Sequence, residues 1–147
     1  MMASDDLKRY IAALFDENEA IWWAYNYNQQ STEMAAVSQA VAIDRLCNPQ
    51  RGDLMEGAKI GLNPAIRVGS RRGQENCGAF RNLLVEFDGG GSPQDQLALA
   101  ASVDLPFTTA SWSGNRSVHF VISLADPCSD LGAYRDLHLL FRQTYPT

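Results

Sequence analysis

Apolar residues recur at Leu7, Tyr10, Ile11, Leu14 and Phe15, the spacing of one helix face. Ser4 is placed to cap that helix, which is predicted to end between Asp16 and Asn18. The next run, Ile21-Trp22-Trp23-Ala24-Tyr25-Asn26-Tyr27, is short and rich in strand formers, so it predicts a strand. Beyond it, Met34, Val37 and Val41 read as the inward face of a second helix, capped by Ser31 and running to about Leu46 before Asn48-Pro49 stops it.

A short strand is predicted over Ala58 to Leu62, and the Gly- and Arg-containing stretch Val68-Gly69-Ser70-Arg71-Arg72-Gly73 reads as a loop. Asn82-Leu83-Leu84-Val85-Glu86-Phe87-Asp88 is the clearest strand in the chain, and Gly89-Gly90-Gly91 ends it. Ser92-Pro93 then supplies a capping hydroxyl and an N1 proline for a helix from Gln94 to about Ser102. Phe107 to Trp112 and Ser117 to Leu124 are predicted as a hairpin around Ser113-Gly114-Asn115-Arg116. Asp126-Pro127 is expected to interrupt the chain before a last helix, Ser129 to Gln143, with Leu131, Tyr134, Leu137 and Phe141 on one face. This order of elements predicts an α+β fold, a mixed and largely antiparallel sheet with flanking helices.

Composition narrows the class. The chain has 147 residues, one domain's worth, and at 46% hydrophobic residues it can bury a core. No apolar run approaches the roughly 20 residues of a membrane span, and the acidic N-terminus is unlike a signal peptide, so no membrane partner and a cytoplasmic location are expected. Cys47, Cys77 and Cys128 are far apart and lack the paired spacing of a zinc site; reduced, mostly buried thiols are expected.

The formal net charge of −5 conceals an uneven distribution. Residues 1–50 carry three basic and seven acidic residues, residues 51–81 six and three, and residues 82–147 three and seven. Five of the central bases are arginines, Arg51, Arg67, Arg71, Arg72 and Arg81, the planar donors suited to phosphate oxygens. An ordinary solvated face rich in arginine accounts for the same charges.

Candidate chemistry sits at two strand ends. Side chains alternate across a strand, so Glu86 and Asp88 share one face while Val85 and Phe87 take the other. Their positions are about 6 to 7 Å apart, close enough for both arms to converge on one cation. Hard oxygen ligands suit Mg²⁺ or Mn²⁺ better than zinc. The alternative is charge decorating an edge strand, although Leu83-Leu84-Val85 is apolar on both faces, as in a central strand. On the later strand, Val118, Phe120, Ile122 and Leu124 form the apolar face, with Ser117 and His119 opposite. The imidazole, the Ser117 hydroxyl and the backbone N–H groups of the 113–116 turn could all donate to phosphate; a satisfied, half-buried histidine is the simpler account of His119 alone. His138, on the last helix, has no such company and reads as structural or exposed. Glycine fingerprints of P-loop and dinucleotide sites are absent, as is a G-x-S-x-G elbow.

In order and spacing, these residues resemble the catalytic core of archaeo-eukaryotic primases, the primase-polymerases of phages and plasmids. The resemblance spans roughly residues 58–124: Ile60-Gly61-Leu62-Asn63-Pro64 ahead of an Arg-containing loop, the hydrophobic strand with its acid-x-acid pair at Glu86 and Asp88, and a strand with the S-x-H motif at Ser117 and His119. It implies an RRM-like core and a metal-dependent nucleotidyltransferase that moves (d)NMP from (d)NTP to a 3′-hydroxyl on a DNA template. Glu86, Asp88 and His119 would be catalytic, with Glu86 and Asp88 holding Mg²⁺ or Mn²⁺. His119, Ser117, Arg116 and Ser113 would contact the nucleotide, and Arg67, Arg71 and Arg72 the nucleic acid. A bacterial or phage-infected cell and a helicase encoded downstream fit the same resemblance.

One departure is plain. The family's third motif, a hydrophobic residue followed by Asp on a later strand, has no counterpart before Thr147, and Asp126, Asp130 and Asp136 are poor substitutes. A single catalytic domain, incomplete without that motif and weak or inactive alone, is therefore expected. A noncatalytic replication-initiator or single-stranded-DNA-binding module with the same fold is the alternative function, and a metabolic α+β domain with coincidental motifs is a third.

Overall fold

A computed structural model of the chain describes residues 4–27, 30–47, 55–87, 91–112 and 116–145. The fold is α+β, with four helices and two antiparallel three-stranded sheets among the described residues. The chain divides into two compact units, Met1–Ala79 and Phe80–Thr147, so the strands form two small sheets where one was expected.

In the first unit, helix α1 (Ser4–Leu14) buries Leu7, Ile11 and Leu14, and Phe15 follows them into the core. Strand β1 (Ile21–Tyr27) is central in the order β2-β1-β3, and Ile21, Trp22, Trp23 and Ala24 are all buried. Strand β3 (Met55–Ile60) starts and ends earlier than the predicted 58–62.

The predicted helix from Ser31 is corrected. Gln30–Val37 is strand β2, paired antiparallel with β1 from Tyr27 opposite Gln30 to Ile21 opposite Val37. Helix α2 (Gln39–Cys47) begins only afterwards, with Ser38, not Ser31, at its start: the Ser38 Oγ accepts from the Val41 N–H at 3.3 Å. The physical reason is β1 itself. A buried central strand must pair its N–H and C=O groups on both sides, and residues 30–37 are the adjacent chain. Met34 and Val37 satisfy helical spacing, but that spacing cannot register the demand of a neighbouring strand.

The loop after β3 is tied to this sheet. Ser70 O accepts from the Trp22 indole N–H and from the Ala36 N–H, each at 3.0 Å, while the Gly69 N–H donates to Ala36 O at 2.7 Å. Gly69 takes φ +88, a conformation that favours glycine. A 3₁₀ turn at Gln74–Asn76 precedes the second unit.

The second unit runs β4 (Phe80–Val85), α3 (Pro93–Ser102), β5 (Thr109–Trp112), β6 (Val118–Cys128) and α4 (Leu131–Thr144), with sheet order β4-β6-β5. Leu83, Val85 and Phe87 meet Val118, Phe120 and Ile122 on one face, covered by Ala100 of α3, Leu105, and Tyr134 of α4. The start of α3 is a full capping box: the Asp95 N–H donates to Ser92 Oγ and the Ser92 N–H to Asp95 Oδ2, both at 3.1 Å, with Pro93 in the first turn.

Two expectations here are corrected. Strand β6 does not stop at Asp126-Pro127 but continues to Cys128, because its pairing shifts from Asn82 opposite Ser123 to Phe80 opposite Cys128. Pro127 falls in the irregular stretch between those pairs, where no ladder donor is required. The cap of α4 is Asp130, whose Oδ1 accepts from the Ala133 N–H at 2.8 Å. The three cysteines are free thiols and only half-buried; burial pushes the Cys77 thiol up, partly offset by its hydrogen bond to Ala79 O. Among the described residues, no helix is long and apolar enough to cross a membrane.

Candidate functional site

The residues of the acidic strand and of the S-x-H strand come together through the β4–β6 register. Leu83 pairs with Ile122, Leu84 with Val121 and Val85 with Phe120. One step further along both chains are Glu86 and His119, on the face opposite the Val85 and Phe120 core positions. Their side chains meet, with His119 Nε2 3.2 Å from Glu86 Oε1. Both are a little over one-third exposed (39% for His119 and 36% for Glu86), so the pair is reachable by a solute.

Across the other edge of β6, Ser111 of β5 lies opposite His119. Glu86, His119 and Ser111 thus form one row across the three strands. Ser117 is on the same face as His119, two residues earlier, and is half-buried. Arg116 is exposed, and its carbonyl is engaged by a side chain described below. Two of the candidates, Asp88 and Ser113, lie outside the described residues, and so does the 113–115 part of the proposed turn. Among the described residues, no three His, Cys, Asp or Glu side chains cluster. Of the aspartates weighed as substitutes for a third acid, Asp126 is exposed in the irregular part of β6, Asp130 caps α4, and Asp136 is exposed on α4.

Arg67, Arg71 and Arg72 are exposed in the loop of the first unit. Arg67 lines an open cleft of about 560 Å³ together with Asp16, Glu17 and Glu19. Arg71 lends its carbonyl to the Asn76 side-chain amide at 2.8 Å, which shapes the loop. His138 is half-buried and packs edge-on against Tyr134, ring centroids 4.5 Å apart; burial holds its imidazole below the usual range, opposed by a hydrogen bond to Tyr134 and assisted by nearby Arg142.

Sequence reasoning missed Gln96. Its side chain is fully buried on α3, and its amide is bonded to three main-chain groups outside the helix. Nε2 donates to Gly91 O and to Arg116 O, each at 2.9 Å, and Oε1 accepts from the Val118 N–H at 2.7 Å. The available signal was a glutamine four residues before the inward-facing Ala100, on the buried stripe of an otherwise apolar helix face. Ser111 carried no sequence signal, because its place beside His119 depends on pairing.

As a donor set, Glu86 offers hard carboxylate oxygens and His119 a ring nitrogen that can hydrogen-bond a phosphate. Compared with protein-family models, with curated proteins and with solved structures, the chain matches none of them.

Proposed function

We propose that this chain is a primase-polymerase-type nucleotidyltransferase, acting on a DNA template with (d)NTP and Mg²⁺ or Mn²⁺. The observation that carries the reading is the approach of His119 Nε2 to Glu86 Oε1, 3.2 Å, produced by the β4–β6 register. It brings together the two short motifs on which the family resemblance rests. The succession β4-α3-β5-β6-α4, with β6 between β4 and β5, supports it further, because a split β-α-β-β-α arrangement is the one an RRM-like core uses.

Glu86, with Asp88, would hold the divalent ions through carboxylate oxygens. When bound, these ions would supply Lewis-acid stabilisation of the transferring phosphoryl group and of the leaving pyrophosphate. The chain's own work is positioning. The Glu86 carboxylate lies against the His119 ring, and His119, Ser117, Arg116 and Ser113 would direct donors at the triphosphate. Arg67, Arg71 and Arg72 would contact the nucleic-acid backbone.

The test is Mn²⁺-dependent binding of a nucleoside triphosphate by calorimetry, followed by extension of a primed DNA template. Glu86→Gln, Asp88→Asn and His119→Ala are each expected to weaken binding at least tenfold and to abolish whatever extension the wild-type chain shows, with circular dichroism unchanged. A wild-type chain that binds no triphosphate with Mn²⁺, or a Glu86→Gln chain that binds and extends as wild type does, overturns the reading.

A further inference from the structure

We infer that Gln96 is the positioning residue of this site, a single buried amide that ties the chain leaving the acidic motif to the chain entering the S-x-H motif. Gly91 follows Asp88 of the acidic motif by three residues, and Arg116 immediately precedes Ser117 of the S-x-H motif. Gln96 grips both carbonyls at 2.9 Å and accepts from the Val118 N–H at 2.7 Å. Ser117 is therefore held from either side, and His119 follows one residue after the second hold.

A side-chain amide has two N–H donors and a carbonyl acceptor, and here both donors and the acceptor bond main chain outside the helix. The Val118 N–H opens β6, and its acceptor is this side chain. A leucine or methionine would fill the same buried space at a helix position facing an apolar core, but would leave Gly91 O, Arg116 O and the Val118 N–H without these bonds. The grip is rigid at its own end, because the Ser92–Asp95 capping box fixes the first turn of α3. Gly91 takes φ +85, a conformation that favours glycine. The amide thus fixes Gly91, Arg116 and Val118 relative to one another, next to Ser117 and one residue from His119; its bearing on nucleotide rests on the proposed function above.

The experiment compares the full chain with Gln96→Met, Gln96→Glu and, as a core control, Ile122→Val. Residue-resolved amide exchange is the first measurement. In Gln96→Met the Val118 amide is expected to exchange at least tenfold faster relative to the Leu83 amide than it does in wild type. Gln96→Glu, which keeps the acceptor and, with its buried carboxyl protonated, leaves one donor for two carbonyls, is expected to keep Val118 protected, and it carries the comparison should Gln96→Met fail to fold. The second measurement is the affinity for Mn²⁺-ATP, expected to fall at least tenfold in both Gln96 variants and less than twofold in Ile122→Val.

Exchange at Val118 that changes only in step with Leu83 in Gln96→Met overturns the inference. So does wild-type-like Mn²⁺-ATP affinity in both Gln96 variants when wild type binds. If wild type itself binds no Mn²⁺-ATP while the Val118 amide responds as expected, the grip on Gly91, Arg116 and Val118 stands and the nucleotidyl-transfer reading falls.

Discussion

His119 lies beside Glu86 because Val85 is paired with Phe120. A strand's side chains alternate in step with its pairing, so a slip of one residue would send one of the two partners to the opposite face. The approach of the two motifs is thus a property of the β4–β6 register, and the apolar residues Leu83, Val85, Phe120 and Ile122 hold that register by sharing one core.

Because Glu86 and His119 are both more than one-third exposed, their contact should contribute little to folding, about 0 to 1 kcal/mol. Glu86→Gln is therefore expected to move the urea midpoint only slightly while removing Mn²⁺-dependent triphosphate binding. A large stability loss, with binding intact, would make the pair structural.

Tyr134 donates its hydroxyl to the buried carbonyl of Asn82, joining α4 to β4, and its ring packs against Phe80 and His138. Tyr134→Phe keeps the ring and removes the donor. The expected cost is about 1 to 2 kcal/mol, read as a lower denaturation midpoint with an unchanged denaturant dependence.

Ser92→Ala removes one half of the capping box at the head of α3. The loss expected is about 1 kcal/mol. Asp95→Ala should cost a similar amount, and the double variant less than the sum, since each removes the same reciprocal contact.

His138 gives a pH dependence with a defined sign. Burial lowers its pKa in the folded chain, so the unfolded chain binds the proton more readily. The stability that goes with the neutral ring is present above the unfolded value and is lost as the pH falls through the folded one. Replacing the ring by His138→Phe is expected to flatten the decline in thermal midpoint from about pH 7 to about pH 5, the range of imidazole titration. An unchanged decline would assign that pH dependence to other groups.

Local chemistry was legible wherever one segment decides its own structure. The stripe of α1, the aromatic run of β1, the Ser92-Pro93 start of α3, and the apolar alternation of β4 and β6 each follow from residues within a few positions of one another. The segment 30–37 reads as helix because its spacing and its Glu33, Met34, Ala35 and Ala36 favour one, and it is β1, not the segment itself, that makes it a strand. Pro127 likewise reads as a break, yet it sits inside β6 because the partner strand skips past it at a bulge.

From the sequence alone came the acid-x-acid strand, the S-x-H strand and their polar ends, because alternation along a strand is written in consecutive residues. Only the tertiary structure decided that the strands divide into two sheets, that Glu86 and His119 touch, and that Ser111 completes their row. It also decided that one glutamine on α3 bonds Gly91, Arg116 and Val118. These depend on register and burial, which join residues from different elements and leave no period in the chain that a local reading can detect.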